Sequence, residues 1–151
     1  MVKTVSLTPF SRSFLDLSFH WLNDPEIRFL TDSPVVTREG QEAWFAGLDD
    51  RTDYRVWGVL ADGRPVGVCG IKHIREREGE YFGYIGEKAF WGQGVGRRMM
   101  ALTESRSQAE GLGRIHLCVL KENERAVRLY EGCGYGVDKS DDKYHYMSKL
   151  L

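Results

Sequence analysis

The 151-residue chain has little cysteine, little proline and almost no excess of one charge. Its three cysteines, Cys69, Cys118 and Cys133, are odd in number and far apart. That argues against a disulfide framework and against zinc, and it fits a reducing, cytoplasmic setting. His20, His73, His116 and His145 fall at no metal-ligand spacing, so no metal is expected. With 21 basic and 22 acidic side chains the net charge is −1, so no basic field gathers nucleic acid or anionic lipid. No apolar run approaches the ~20 residues of a membrane span. The opening Met1 to Leu7 lacks the apolar core of a secretory signal. What is present, 42% hydrophobic and 28% charged residues, is ordinary for a globular protein. No repeat, low-complexity tract or linker interrupts it, so a single domain over residues 1–151 is expected.

Against that background one stretch stands out: Trp91-Gly92-Gln93-Gly94-Val95-Gly96-Arg97-Arg98. A strand-like run precedes it and a helix-like run follows. Glycines let a backbone turn sharply and approach a ligand closely. A helix starting there points unpaired N–H groups and a positive dipole end outward. Such a site suits a phosphate or pyrophosphate, and the two arginines add charge.

Around it the periodicity changes several times. Residues 2–8 alternate as a first strand. A helix follows over Phe14 to Leu22, with Ser11 or Ser13 as its cap, and Asn23-Asp24-Pro25 stops it. Pro25 can open a second short helix capped by Asp24, and Thr37 can open a third. From Tyr54 the period is two. Tyr54–Ala61 and Pro65–Ile74 form a hairpin on Asp62-Gly63, Arg75–Gly79 is a charged turn, and Glu80–Gly86 is the next strand. After the glycine stretch come a helix to about Glu110, a strand over Arg114–Lys121, a helix capped by Asn123 and ending at Gly132, and a hairpin of Tyr135–Asp138 with Lys143–Leu150. A meander followed by strand–helix–strand–helix predicts an α/β (α+β) mixed sheet with helices on both faces.

A dinucleotide-binding reading fails, because the spacing is Gly92-x-Gly94-x-Gly96 and the unit follows an antiparallel meander. A P-loop reading fails because no Gly-Lys-Ser/Thr follows. Three blocks instead resemble the GNAT family of acetyl-CoA-dependent N-acetyltransferases. The first is Tyr84-Ile85-Gly86 with Trp91-Gly92-Gln93-Gly94-Val95-Gly96-Arg97. The second runs from Leu117 through Asn123 to Ala126. The third runs from Ala126 through Leu129-Tyr130 to Gly134-Tyr135. Trp91 departs from the usual Gln or Arg. The variant is similar to the branch holding ribosomal-protein N-terminal, polyamine and nucleotide-amino-sugar acetyltransferases. His20 to Arg28 looks like the opening of that branch.

The resemblance implies the GNAT fold, a mostly antiparallel splayed sheet. It also implies acetyl transfer from acetyl-CoA to a primary amine by direct attack, with no metal. Residues Gly92, Gln93, Gly94, Val95, Gly96 and Arg97 would hold the pyrophosphate, with Arg98 adding charge. Tyr84, Ile85 and Gly86 would offer freed backbone to the pantetheine arm. Asn123 caps a helix on its own account; the resemblance adds a contact to the pantetheine or thioester region. Tyr130 is the expected general acid, since a phenol stays protonated at neutral pH and can donate to a departing thiolate. Its alternative is a core tyrosine. Glu80 is the preferred base, with Glu87, His73, His116 or a water chain as rivals. Cys118 reads as a small buried residue.

The acceptor should be chosen by residues 14–50 and the 135–145 hairpin. Trp21, Asn23, Glu26, Arg28 and Trp44 can shape a pocket there, though both tryptophans also suit a core. A small amine is expected, first an amino sugar carried on a nucleotide, with a ribosomal N-terminus or a polyamine as the alternative. A homodimer is compatible with such a scaffold. A non-catalytic acetyl-CoA sensor is the rival of another class, and no nucleic-acid or membrane partner is expected.

Overall fold

Two left-handed residues, Asp62 (φ 50°) and Gly63 (φ 79°), make the tight turn that folds strand β2 (Arg55–Ala61) back on β3 (Arg64–Arg75). Such a pair matches the twist of the strands it joins. The Asp62 carboxylate also accepts the backbone N–H groups of Lys3 (3.0 Å) and Thr4 (2.9 Å), which fixes the chain entering β1 (Val5–Pro9) beside β2. The first strand therefore starts three residues later than its alternation suggests. Val2, outside it, is buried in the main core.

The computed structural model describes residues 1–151. The expected charged turn at Arg75–Gly79 shrinks to two residues, because Glu76 (φ 53°) and Arg77 (φ 67°) suffice to reverse the chain. Strand β4 thus begins two residues early and spans Glu78–Ile85. Gly79 fits inside it because a side chain there would collide with Ile71.

On either side of the β2–β4 meander lie the helices. α1 (Arg12–Leu22), α2 (Pro25–Thr31) and α3 (Arg38–Gly47) come before it, and α3 ends in a single turn of tighter helix over Leu48–Asp50. Asp24 caps α2 by accepting the N–H groups of Glu26 (2.9 Å) and Ile27 (3.3 Å), with Pro25 at the first helical position. Thr37 caps α3 through the Gly40 N–H. After the meander come α4 (Val95–Ala109), β5 (Arg114–Leu120), α5 (Glu124–Gly132), β6 (Gly136–Ser140) and β7 (Tyr144–Leu150).

The seven strands form one sheet in the order β1-β2-β3-β4-β5-β7-β6. All neighbours are antiparallel except β4 and β5. On one face α4 and α5 cover the main core of Val59, Ile71, Met99, Met100, Ile115 and Met147, with Val127 and Tyr130 packed against it. On the other face Phe14, Trp21 and Ile27 pack against Val68, with Phe82, Tyr84 and Trp91 at their edge. Strand alternation puts Ile115, Leu117 and Val119 in the main core, as their period of two predicts.

Candidate active site

β4 and β5 run parallel over only three residues, Glu78–Glu80 against Arg114–His116. Beyond them the strands part, and Tyr81–Ile85 keep β3 as their only neighbour. The carbonyl of Tyr84 lies against Gly67 of β3, and the Gly86 N–H donates to Val66 (2.8 Å). Alternation along the strand then turns the backbone of Gly83 and Ile85 toward the gap. Of the three residues expected to meet a pantetheine arm, Ile85 is the one whose backbone faces the opening. Tyr84 contributes its ring to the wall, and Gly86 lies where a side chain would run into the Trp21 indole.

The gap opens into a cleft of about 1120 Å³ that passes between the two faces of the sheet. At one end lies the glycine stretch. Gly92 (φ 75°) and Gly94 (φ 79°) are left-handed, with open space where a side chain would stand. Gly94 is the N-cap of α4 and has no side chain to satisfy the first turn. The N–H groups of Val95, Gly96 and Arg97 consequently make no hydrogen bond within the chain. Gly96 serves a further purpose: a β-carbon there would sit 3.0 Å from Leu129, so its absence lets α4 and α5 approach. Gln93 lies outside the cleft lining, its amide donating to the Ala89 carbonyl (2.7 Å).

Three guanidinium groups line the same cleft. Arg97 lines the cleft while reaching the Gly132 carbonyl at 3.3 Å. Arg125 and Arg128 of α5 join it, and Arg125 stacks 5.2 Å from the Trp91 ring. Arg98 does not. It turns away to hold the carbonyls of Val2 (3.5 Å) and Lys3 (2.9 Å), because successive helical side chains point about 100° apart. Trp91, the departure from the usual loop, donates its indole N–H to the Ile85 carbonyl (2.9 Å). It thereby satisfies an acceptor left unpaired by the parting of the strands.

Tyr130 stands on the α4–α5 side of the gap, between Tyr81 (6.1 Å between ring centres) and Tyr135 (6.2 Å). Burial pushes its phenol up to about 12, with Cys133 adding a smaller push, so the hydroxyl stays protonated. The residue lines the cleft, and its hydroxyl is not among buried polar atoms left without a partner, so it is reached from the open space of the cleft. Asn123 caps α5 by accepting the Ala126 N–H (3.3 Å) and donates to the Leu30 carbonyl of α2 (3.2 Å). It ties the two sides of the cleft together while keeping one donor and one acceptor to spare.

Glu80 lies on the opposite face, in line with Phe82 and Tyr84. Its carboxylate is within 3.0 Å of His73 Nδ1 and 3.9 Å of Lys72 Nζ, and it lines the cleft. Of the rivals, His73 is that neighbour of Glu80, and Glu87 and His116 stand elsewhere. Glu87 accepts the Trp21 indole N–H (3.2 Å), and neither it nor His116 lines the cleft. Cys118 does line it, but its side chain is exposed rather than buried as the sequence suggested. Partial burial and the nearby Glu80 charge push its thiol up, disfavouring the thiolate.

The other side of the cleft is built from α1 to α3 and the faces of β3 and β4: Ser18, Gln41, Trp44, Tyr54, Val68, Phe82 and Tyr84. Trp44 lines this wall while meeting Phe10 and Tyr54 edge to face, whereas Trp21 belongs to the second core. Asn23 and Arg28 lie outside the lining. Glu26 is within it but shares Lys88 with Asp24, each at 2.9 Å. At the mouth Asp32, which follows α2, binds the Tyr144 hydroxyl and lies 3.5 Å from Lys143. This wall was the part of the site hardest to see in sequence, as were Arg125 and Arg128. The period of α5 does place Arg125, Arg128 and Tyr130 along one helix beside the loop, and that was the available signal.

A mixed sheet parted between two parallel strands, with a glycine-opened helix at the gap, is an N-acyltransferase architecture. A sequence model of the Acetyltransferase (GNAT) family matches residues 15–135, and the chain belongs to that family. It is 25% identical over 126 residues to the uncharacterized protein MJ1062 of Methanocaldococcus jannaschii, a match covering 80% of this chain and 26% of that protein. It is 42% identical over 55 residues to mycothiol acetyltransferase of Frankia alni, covering 36% of this chain and 16% of that one. The chain thus spans well under half the length of these curated relatives. Among solved structures, a domain from Methanocaldococcus jannaschii superposes with a TM-score of 0.87 (21% identity, 98% of this chain and 99% of that one). Spermidine N-acetyltransferase from Vibrio cholerae, in complex with CoA and spermine, gives 0.85 (21% identity, 97% and 95%). Aminoglycoside acetyltransferase AAC(6')-Ib, in complex with coenzyme A, gives 0.83 (16% identity, 97% and 95%).

Proposed function

We propose that the protein transfers the acetyl group of acetyl-CoA to the primary amine of a small, positively charged acceptor. The single observation that carries this reading is the parting of β4 and β5 between two chemically different ends. Bound acetyl-CoA supplies an activated acetyl thioester. The residues present fit it: three free amides at the start of α4, an open place in front of Gly94, and Arg97, Arg125 and Arg128 for the phosphates. The gap-facing backbone of Gly83 and Ile85 is placed to pair with an amide-bearing arm as an added strand would, and to donate to a developing oxyanion.

The two sides of the gap divide the proton work. Tyr130, on the α5 side, donates a proton to the leaving sulfur. Glu80, on the α1–α3 side, takes one from the incoming amine. The aromatic wall of Trp44, Tyr54 and Phe82 attracts cations: Arg51 already stands over Tyr54 (4.6 Å) and Lys72 over Phe82 (5.7 Å), and Trp44 is the ring left for an acceptor. Every cation lining the α4–α5 end is an arginine suited to phosphate, whereas the acceptor wall has Lys72 alone, already beside Glu80. That distribution favours a polyamine-like or amino-substituted ring over an amino sugar carried on a nucleotide, which would need cations of its own there. The spermidine and aminoglycoside acetyltransferases among the structural neighbours are in keeping with this choice.

Free-thiol release from acetyl-CoA with a panel of polyamines, aminoglycosides and nucleotide-linked amino sugars tests the proposal. Turnover with the cationic amines is expected. Turnover confined to the nucleotide sugar would overturn the acceptor class. CoA binding without turnover on any amine would make the protein a sensor.

A further inference from the structure

We propose that His73 is the proton outlet of Glu80, an inference that rests on the acetyl-transfer reading above. A regular strand would put His73 on the same face as Ile71, in the main core. It does not lie there. The register shifts between Lys72, opposite Glu80, and Arg75, opposite Glu78, so two residues of β3 face the single Gly79 of β4. His73 takes a left-handed conformation (φ 54°) at this bulge, and Ile74 takes over the place against the core. A bulge re-aims a side chain, and this one brings the imidazole to the Glu80 side of the sheet. Nδ1 lies 3.0 Å from Glu80 Oε1. The side chain of His73 is 61% exposed and that of Glu80 24%, so the ring links a recessed carboxylate to open water.

The other charges around the pair cannot do this. Lys72 of β3, 3.9 Å from Glu80, is an ammonium with donors and no lone pair. Asp53, in the loop before β2, is taken by Arg51, whose hydrogen bond holds its carboxyl low. Its backbone carbonyl accepts the Ile74 N–H (3.0 Å), which helps hold the bulge. On β5, His116 is paired in register with Glu80, and Cys118 lies close enough to feel the Glu80 charge. Neither makes a side-chain hydrogen bond to Glu80, and the imidazole of His73 does.

The acceptor arrives as an ammonium; Glu80 takes one proton, and the bonding pair stays on nitrogen as the lone pair that attacks. With Glu80 protonated, exchange with solvent at the exposed ring brings neutral His73 to the tautomer whose lone pair is on Nδ1, and the carboxyl group passes its proton there. The imidazolium releases the Nε2 proton to water, which leaves the Nδ1–H that donates to the ionised Glu80 carboxylate. Glu80 is left ionised for the next amine.

The test uses His73→Asn and His73→Gly, both of which accept a left-handed backbone. In each, kcat should fall about 100-fold while KM for acetyl-CoA holds. Added imidazole should restore much of the rate in His73→Gly, because the site is open to solvent. Glu80→Gln in the His73→Asn background should add little further loss, since the two act as one unit. Wild-type rates in His73→Asn, no rescue by imidazole, or fully additive losses would each overturn the outlet while leaving acetyl transfer standing. A wild-type protein inert toward every amine would overturn acetyl transfer itself, and the outlet with it.

Discussion

The two ends of the cleft are made in different ways. The α4–α5 end uses backbone: free N–H groups at the start of one helix, a strand edge left unpaired, and arginines a turn away. Its parts come from three short stretches, Gly83–Ile85, Trp91–Arg97 and Asn123–Tyr130. The α1–α3 end uses side chains drawn from five segments of the chain, spread from Ser18 to Tyr84. Backbone amides are the same in every protein, so an end built from them suits a constant guest. A wall of side chains changes with every substitution, and it is where an acceptor can be chosen.

The comparison breaks most sharply at Tyr130. Tyr130→Phe keeps the ring stacking but removes the donor, so kcat should fall about 10²- to 10⁴-fold with CoA affinity unchanged. Single-turnover kinetics beside calorimetry would show it; an unchanged kcat would end the acid assignment. Next comes a contrast within the loop. Valine at Gly94 must adopt φ 79° and fill the space before the free amides, so CoA affinity should drop by about 2 kcal/mol, roughly 30-fold. Valine at Gly96 meets Leu129 instead, so it should cost about 1–3 kcal/mol of stability by overpacking, with CoA affinity retained in the folded protein. Calorimetry and thermal melts on the pair separate the two roles.

At the acceptor wall, Trp44→Ala should raise KM for a cationic amine about fivefold, or about 1 kcal/mol, and leave KM for acetyl-CoA alone. A matching rise in both constants would mean the ends are not separate. A separate readout is alkaline stability. Burial raises the Tyr130 phenol to about 12 in the folded protein, against about 10 in an unfolded chain. Stability from keeping it neutral is therefore complete below pH ~10 and is lost as pH rises toward 12. Melting temperature should fall across that window, less steeply in Tyr130→Phe.

The contrast also explains what could be read in advance. The glycine spacing marked the start of α4, and the run from Asn123 to Tyr135 marked α5 and its cap, because these are local rules of turn and helix chemistry. The same rules missed the role of Gly96, which depends on Leu129 thirty-odd residues later. They assigned Arg98 to the loop, although the helical turn carries it to the carbonyls of Val2 and Lys3. They read β3 as regular to Ile74, although its bulge turns His73 over. A bulge inserts one residue without changing composition, so alternation alone does not reveal it.

By itself the sequence determined the strand and helix periods, the glycine-opened helix and the caps at Asp24, Thr37 and Asn123, since each depends on residues a few positions apart. Only the tertiary structure decided how far β4 and β5 stay paired, which carboxylate faces the gap, and which arginines stand beside the free amides. Those outcomes follow from which face of the sheet each element packs against, and that is fixed by the whole core at once.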